Sequence, residues 1–155
     1  MSTTPATHRR VITRKVVDWA AWDWGSAAFN AVATTFVFTT YLTSDGVFTD
    51  SGTASTWLSN GMTIAGLFIA LLAPITGQRA DRRGRGGVWL GWFTGLVVAC
   101  MLAMYFVHPE SVLGPKGALM LGIALLGLGN VFFEFASVNY NAMLNHLGEK
   151  EDRGK

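Results

Sequence analysis

The chain has 155 residues, of which 50% are hydrophobic and 14% are charged, whereas ordinary globular domains have about 25% charged residues. This composition and a mean hydropathy of +0.33 argue against a soluble domain. The formal net charge of +2 comes from basic residues in short gaps between apolar stretches, so we expect no nucleic-acid partner.

Long stretches without charge divide the chain. Residues 24–44, 51–78 and 86–107 carry no charged side chain, and residues 117–147 carry only Glu134. A hydrocarbon core of about 30 Å needs roughly 20 apolar residues in a helix, so the lipid bilayer is the predicted surrounding of these segments. We predict an all-α, polytopic membrane helix bundle with four transmembrane helices at about 17–42, 56–76, 88–107 and 117–144. These helices form a membrane domain over 17–147, between polar tails at 1–16 and 148–155.

The basic residues predict the orientation. From the N-terminal tail through the three loops to the C-terminal tail, the Lys and Arg counts are 4, 0, 4, 1 and 3. Cytoplasmic loops are enriched in Lys and Arg, so both termini and the second loop are predicted to be cytoplasmic. We expect an integral, multi-pass protein of a bacterial inner membrane.

Two predicted helices carry polar stripes at helical spacing. The first helix has Asp23, Ser26, Asn30 and Thr34, and the fourth has Asn130, Glu134, Ser137 and Asn141. Polar groups inside a membrane usually face a bundle interior or a watery cavity, so the two stripes indicate a shared polar pathway. The alternative is that Ser, Thr and Asn side chains join helices by hydrogen bonds, with Asp23 at the membrane interface.

Glu134 is the candidate proton carrier. A carboxylate within a membrane span favours its neutral form, so we predict that Glu134 exchanges a proton during function. The third predicted helix differs, because its small residues recur every four positions and indicate close packing against another helix. These residues are Gly91, Gly95, Ala99 and Ala103, and the single cysteine, Cys100, is predicted to pack beside them.

The loop between the second and third predicted helices has the form G-x-x-x-D-R-x-G-R over residues 77–85. Gly77 and Gly84 could supply positive φ at a tight connection, and Asp81 is predicted to be ionised and paired among four arginines. A signal for topology alone would explain the arginines, but it would not explain the glycines and Asp81 at this spacing.

This loop resembles the signature of the major facilitator superfamily. The stretches around Asp23-Trp24 and Tyr140-Asn141 are similar to the vacuolar amino-acid effluxer-like branch of that family, and the resemblance extends over residues 16–147. It implies twelve helices in two halves that work by alternating access. It also implies a cavity lined by helices one and four, and a cytoplasmic gate that includes Asp81, Arg82 and Arg85.

The resemblance implies that a small solute, such as an amino acid, is transported with possible coupling to protons. Four helices are fewer than twelve, so we expect this chain to be the N-terminal portion of a transporter whose C-terminal helices are its missing partner. Two alternatives stay open: a complete four-helix exporter that dimerises, and a non-transporting membrane subunit. No H-E-x-x-H, G-x-S-x-G or Walker sequence occurs, so we expect no enzyme activity, no metal site and no cofactor.

Overall fold

The computed structural model describes the backbone of residues 14–152, and the side chains of all these residues except 15–16, 80–81, 83 and 144–152. Most of the predicted N-terminal tail and the last three residues lie outside it. Within the described residues, every regular element is helical. The elements are α1 (Arg14–Ala28), a π-helical segment (Phe29–Phe36), α2 (Phe38–Thr43), α3 (Ser51–Arg83), α4 (Gly86–Ala103), a short 3₁₀ turn (Met104–Phe106) and α5 (Gly114–Asp152).

Among residues 14–152, three helices are long and apolar enough to cross a membrane: Ser51–Arg79, Gly86–Phe106 and Gly114–Met143. They correspond to the second, third and fourth predicted spans. The first predicted span, at 17–42, is divided by the π-helical segment, and α1 alone has 15 residues, or about 22 Å at 1.5 Å per residue. The described residues therefore form an all-helical membrane protein with three candidate spans, and the first predicted span, at 17–42, stays a prediction.

Most predicted helix ends lie inside the observed ones; the exception is the third helix, predicted to end at residue 107, because α4 ends at Ala103 and is followed by the 3₁₀ turn Met104–Phe106. The second span was predicted to end at residue 76, but α3 continues to Arg83, and α5 continues well beyond residue 144 to Asp152. A stretch without charges predicts only the apolar section of a helix. Residues such as Arg and Ala form helix readily, so a helix can continue beyond that section. Basic residues are also favourable near a helix C-terminus, where the backbone dipole is negative.

Helix α5 lies at the centre of the fold. Half of its membrane-crossing window is buried within the chain, compared with 11% for α3 and for α4. The core consequently gathers around α5, where Leu119 and Leu126 are fully enclosed together with Leu42 of α2. The apolar side chains on the outer face of α3 are exposed within the chain, as expected for contact with lipid; they are Ile64, Leu67, Phe68, Leu71, Leu72 and Ile75.

Glycines allow the helices to approach α5 closely. A Cβ on Gly61 of α3 would overlap the Ile123 side chain, and a Cβ on Gly122 would lie 2.6 Å from Leu42 Cδ2. On the α4 side, a Cβ on Gly129 would lie 3.6 Å from the Cβ of Cys100. Cys100 is buried, so it is a packing residue as predicted.

The connection between α2 and α3 is fixed by two aspartates. Asp45 Oδ1 accepts the backbone N–H of Ser51 at 3.0 Å, and Asp50 Oδ2 accepts that of Thr53 at 2.8 Å. Asp50 thereby caps the start of α3. The hydrogen bond from the Thr53 backbone holds the pKa of the Asp50 carboxyl below its usual value.

We expect Asp50→Ala to lower the melting temperature of the protein in detergent at pH 7. The folded-state pKa of Asp50 is lower than the unfolded value of about 3.9, so its contribution is complete above that value and is lost as the pH falls through the folded-state pKa. The difference between the variant and the parent should therefore disappear in acid. Asp50→Asn retains a cap and is the control. A difference in melting temperature that is the same at pH 7 and in acid would contradict the capping role.

Candidate functional site

Helix α1 and the π-helical segment that follows it, together called the first helical segment (14–36), lie against α5 through aromatic side chains. The rings of Trp19 and Trp22 lie 4.4 Å and 4.1 Å from that of Tyr140, measured between centroids. Two turns further along, the Phe29 and Phe133 rings are 5.2 Å apart. Such pairs contribute about 0.5–1.5 kcal/mol each beyond their buried area. These contacts position the two helices that carry the predicted polar stripes.

Helix α4 closes one flank of this contact. Trp22 Nε1–H donates to Thr94 Oγ1 at 3.2 Å, which joins α1 to α4 directly. Ser26 lies on this flank, half-buried, and its hydroxyl donates to the carbonyl oxygen of Asp23 at 2.7 Å. Ser26 therefore borders an apolar crevice beside α4, and it does not share the exposed flank of Asp23 and Asn30.

Asp23 and Asn30 lie on the opposite flank of the first helical segment. Both side chains are exposed within the chain. They are seven residues apart, which is about two helical turns, so they lie near one face, although the turns widen from Phe29 into the π-helical segment. The flank away from α4 is thus open and carries an acid and an amide.

The stripe on α5 borders the same open flank. Phe133 and Tyr140 contact the first helical segment, whereas Gly127 and Val138 contact α3. A rotation of about 100° per residue places the stripe between these two faces. Three of its side chains are half-buried and the last is exposed; in order they are Asn130, Glu134, Ser137 and Asn141. Six of the eight predicted stripe residues therefore share one flank of the fold.

Thr34 lies in the π-helical segment and is half-buried. Its carbonyl oxygen accepts the Thr39 hydroxyl at 2.7 Å. Its own Oγ1 is buried and has no hydrogen-bond partner among the described residues. π-Helical turns inside longer helices are rare and occur frequently at functional sites. The segment therefore marks an irregular section of the first predicted span, adjacent to the polar flank.

Asn139 is a polar residue that the stripe pattern did not predict. It is fully buried, on the face of α5 that also carries Ala136 and Met143. Its Nδ2 donates to the Phe135 carbonyl oxygen at 2.8 Å, and its Oδ1 has no partner among the described residues. Asn141, two residues further along, was predicted as a stripe residue and is exposed. The sequence alone does not tell which of Asn139 and Asn141 is buried, because that depends on where α4 lies against α5.

We expect Asn139→Leu to raise the stability of the protein in detergent. Leucine has the same number and branching of side-chain heavy atoms, and it removes a buried acceptor whose lack of a partner costs about 1–3 kcal/mol. Thermal unfolding measured by circular dichroism tests this, with Asn141→Leu as the exposed control. A decrease in melting temperature specific to Asn139→Leu would mean that Oδ1 has a partner in the membrane.

The predicted gating loop is shorter than expected. Gly84 has φ of +60°, as predicted for a tight connection, but Gly77 has no positive φ and lies within α3. A Cβ on Gly77 would lie 2.8 Å from Val138 Cγ1, so this glycine serves the close approach of α5. Arg82 and Arg85 are exposed at the end of α3 and in the connection. The side chain of Asp81 lies outside the described residues.

The small-residue face of α4 is turned away from the rest of the chain. Gly91, Gly95 and Ala99 are exposed, and Cβ atoms built on either glycine would meet nothing within 4 Å. Helix α4 packs on α5 through other residues, including Phe93 and Cys100. The predicted helix-packing face therefore has no partner within the described part of the chain.

Among the described residues, no three His, Cys, Asp or Glu side chains come together as they would around a metal ion. The sequence matches no family model, no curated protein and no solved structure. The function is therefore argued from the geometry and from the sequence pattern.

Proposed function

We propose that the chain is the N-terminal part of a secondary active transporter that works by alternating access. The observation that carries the proposal is the shared polar flank: Asp23 and Asn30 on the first helical segment and the stripe on α5 border the same side of the aromatic contact, away from α4. A polar flank between membrane helices would line a pathway for a small solute.

The loop at 77–85 supports the same proposal. Its resemblance to the major facilitator signature assigns the Arg82 and Arg85 region to a cytoplasmic gate. The tight turn at Gly84 and the exposure of both arginines leave these side chains accessible to an opposing element. In this proposal, the remaining helices of the transporter supply that element and the opposite wall of the cavity. Amino acids are the first candidate solutes.

Cysteine accessibility tests whether the flank faces water. Cys100→Ala removes the only cysteine, and Asn30→Cys or Val32→Cys then places one thiol on either side of the same helical segment. Both side chains are exposed within the chain, so their packing is matched. A membrane-impermeant maleimide in sealed vesicles should label the Asn30→Cys protein and spare the Val32→Cys protein, whose thiol would face lipid. Equal labelling of the two variants would contradict a water-lined flank.

Transport itself is tested with radiolabelled amino acids in proteoliposomes. We expect uptake when the chain is joined to the remaining helices of its transporter, and no uptake by the 155-residue chain alone. Gly84→Val, which strains the positive φ of the loop, should reduce uptake, whereas Gly87→Val in the adjacent helix is the control. Uptake by the isolated chain would contradict the proposal.

A second candidate is a complete four-helix exporter that acts as a dimer. The unpartnered Gly91, Gly95 and Ala99 face of α4 favours it, because small residues at this spacing permit close helix association. Uptake by the isolated chain together with a homodimer in detergent would select this candidate. Replacing Gly95 by leucine should then dissociate the dimer.

A further inference from the structure

A crevice separates α1 from α4. It lies on the flank away from Asp23, Asn30 and the α5 stripe, and Ser26 is the stripe residue that lines it. Its volume is about 210 Å³. The floor is made by buried residues of three elements, Phe29, Val97 and Phe133 among them, and the rim by the exposed residues Gly25 and Val98. A buried floor with an exposed rim describes a crevice that opens sideways, towards the surroundings of the helices.

The polar atoms around this crevice already have partners. Trp22 Nε1–H donates to Thr94 Oγ1, and the Ser26 hydroxyl donates to the Asp23 carbonyl oxygen. The other lining residues are apolar. A polar guest would lose its hydrogen bonds to water, which costs several kcal/mol per group, and would find only the Thr94 hydroxyl as a donor here. The lining chemistry therefore selects an apolar occupant.

The crevice lies at the depth of the hydrocarbon core. Its α4 side extends from Thr94 to Met101, inside the membrane-crossing helix Gly86–Phe106. Thr94 is about 12 Å along the axis from Gly86, at 1.5 Å per residue. The exposed rim consequently faces the acyl region of the bilayer, and water has no direct access to it.

We propose that this crevice is a binding site for one phospholipid acyl chain, which inserts sideways between α1 and α4. Apolar cavities of about 150 Å³ in proteins stay dry and accept apolar guests such as benzene, so a crevice of this size accommodates a segment of hydrocarbon chain. The chain restores the dispersion contacts that the separated helices lack. This proposal does not depend on transport activity.

A photoreactive lipid tests the proposal. The protein is reconstituted in phosphatidylcholine vesicles that contain a phosphatidylcholine with a diazirine on one acyl chain, and adducts are located by mass spectrometry after illumination. We expect adducts on Val98 and Met101 that exceed those on the exposed Leu67 and Leu71 of α3, and that saturate as the labelled lipid increases. Adducts spread evenly over both helices would identify ordinary boundary lipid and overturn the site.

A second experiment fills the crevice with a larger side chain. A Cβ on Gly25 meets nothing within 4 Å, so Gly25→Leu should fold and project its side chain into the space. It should reduce the adducts on Val98 and Met101 to the level found on α3. Ala21→Leu, at the rim, is the second filling variant. Gly66→Leu is the control, because its Cβ also meets nothing and it lies on α3. Undiminished adducts in folded Gly25→Leu and Ala21→Leu proteins would overturn the proposal.

Discussion

Gly61→Val is expected to destabilise the protein more than any other single change on the α3–α5 contact. Gly61 faces Ile123, and a Cβ at this position would overlap the Ile123 side chain. The helices stay close one turn further along, where a Cβ on Gly127 would lie 3.6 Å from Ala65 Cβ, so a shift of the helices apart would also loosen this approach. Overpacking of this kind costs roughly 1–3 kcal/mol, occasionally more. A lower melting temperature in detergent and weaker association of α3 with α5 should both be measurable.

Gly66→Val is the matched control for this prediction. It adds the same β-branched side chain to the same helix, with the same propensity change, but its Cβ meets nothing within 4 Å. Ile123→Ala should restore stability to the Gly61→Val protein, because it removes the overlapping atoms. A double-mutant cycle over Gly61 and Ile123 measures that coupling. Equal destabilisation by Gly61→Val and Gly66→Val would show that helix propensity, and not the contact, determines the loss.

The position of the membrane helices could be predicted from charge alone, because hydrocarbon excludes charged side chains regardless of the fold. The ends of the helices could not be predicted in this way. Backbone hydrogen bonding continues past the last apolar residue wherever the following residues form helix readily, as from Thr76 to Arg83 in α3. For the same reason, Gly77 was interpreted as a loop residue, whereas it is a helical contact residue.

The polar stripes show what helical spacing can and cannot predict. Spacing placed the α5 stripe on one face, because that depends only on the rotation per residue. It did not predict that Ser26 lies towards α4 or that Asn139 is buried, because both depend on which helix lies alongside. The π-helical segment at Phe29–Phe36 was also missed, since its turn of the backbone has no signature in the spacing of polar residues.

The outward small-residue face of α4 shows a similar limit. The four-residue spacing predicted close packing, yet within the described chain the α4–α5 contact uses Phe93 and Cys100 instead. A pattern of small residues indicates that close approach is possible, but it does not identify the partner. The same face is therefore compatible with lipid, with further helices of a transporter, or with a second copy.

Glu134→Gln should abolish the coupling of solute uptake to a proton gradient. Glu134 is half-buried on the polar flank, between the α5 faces that contact the first helical segment and α3. A proton-coupled cycle needs a carboxylate on the pathway that takes up and releases a proton, and Glu134 is the carboxylate of the α5 stripe. A gradient of one pH unit supplies about 1.4 kcal/mol per proton, or about tenfold accumulation of solute. The glutamine variant should reach only equal concentrations on both sides.

The control for Glu134→Gln is a variant in which a glutamate outside the polar flank is replaced by glutamine. Glu110 is exposed in the loop before α5, so Glu110→Gln alters the net charge equally and leaves the flank intact. Amino-acid uptake by the intact transporter in vesicles, with and without an imposed pH gradient, separates the two variants. Exchange of labelled for unlabelled solute should persist in Glu134→Gln, because exchange needs the pathway but no net proton movement. Gradient-driven accumulation that is as large in Glu134→Gln as in Glu110→Gln would assign Glu134 to helix packing and leave the coupling to another group.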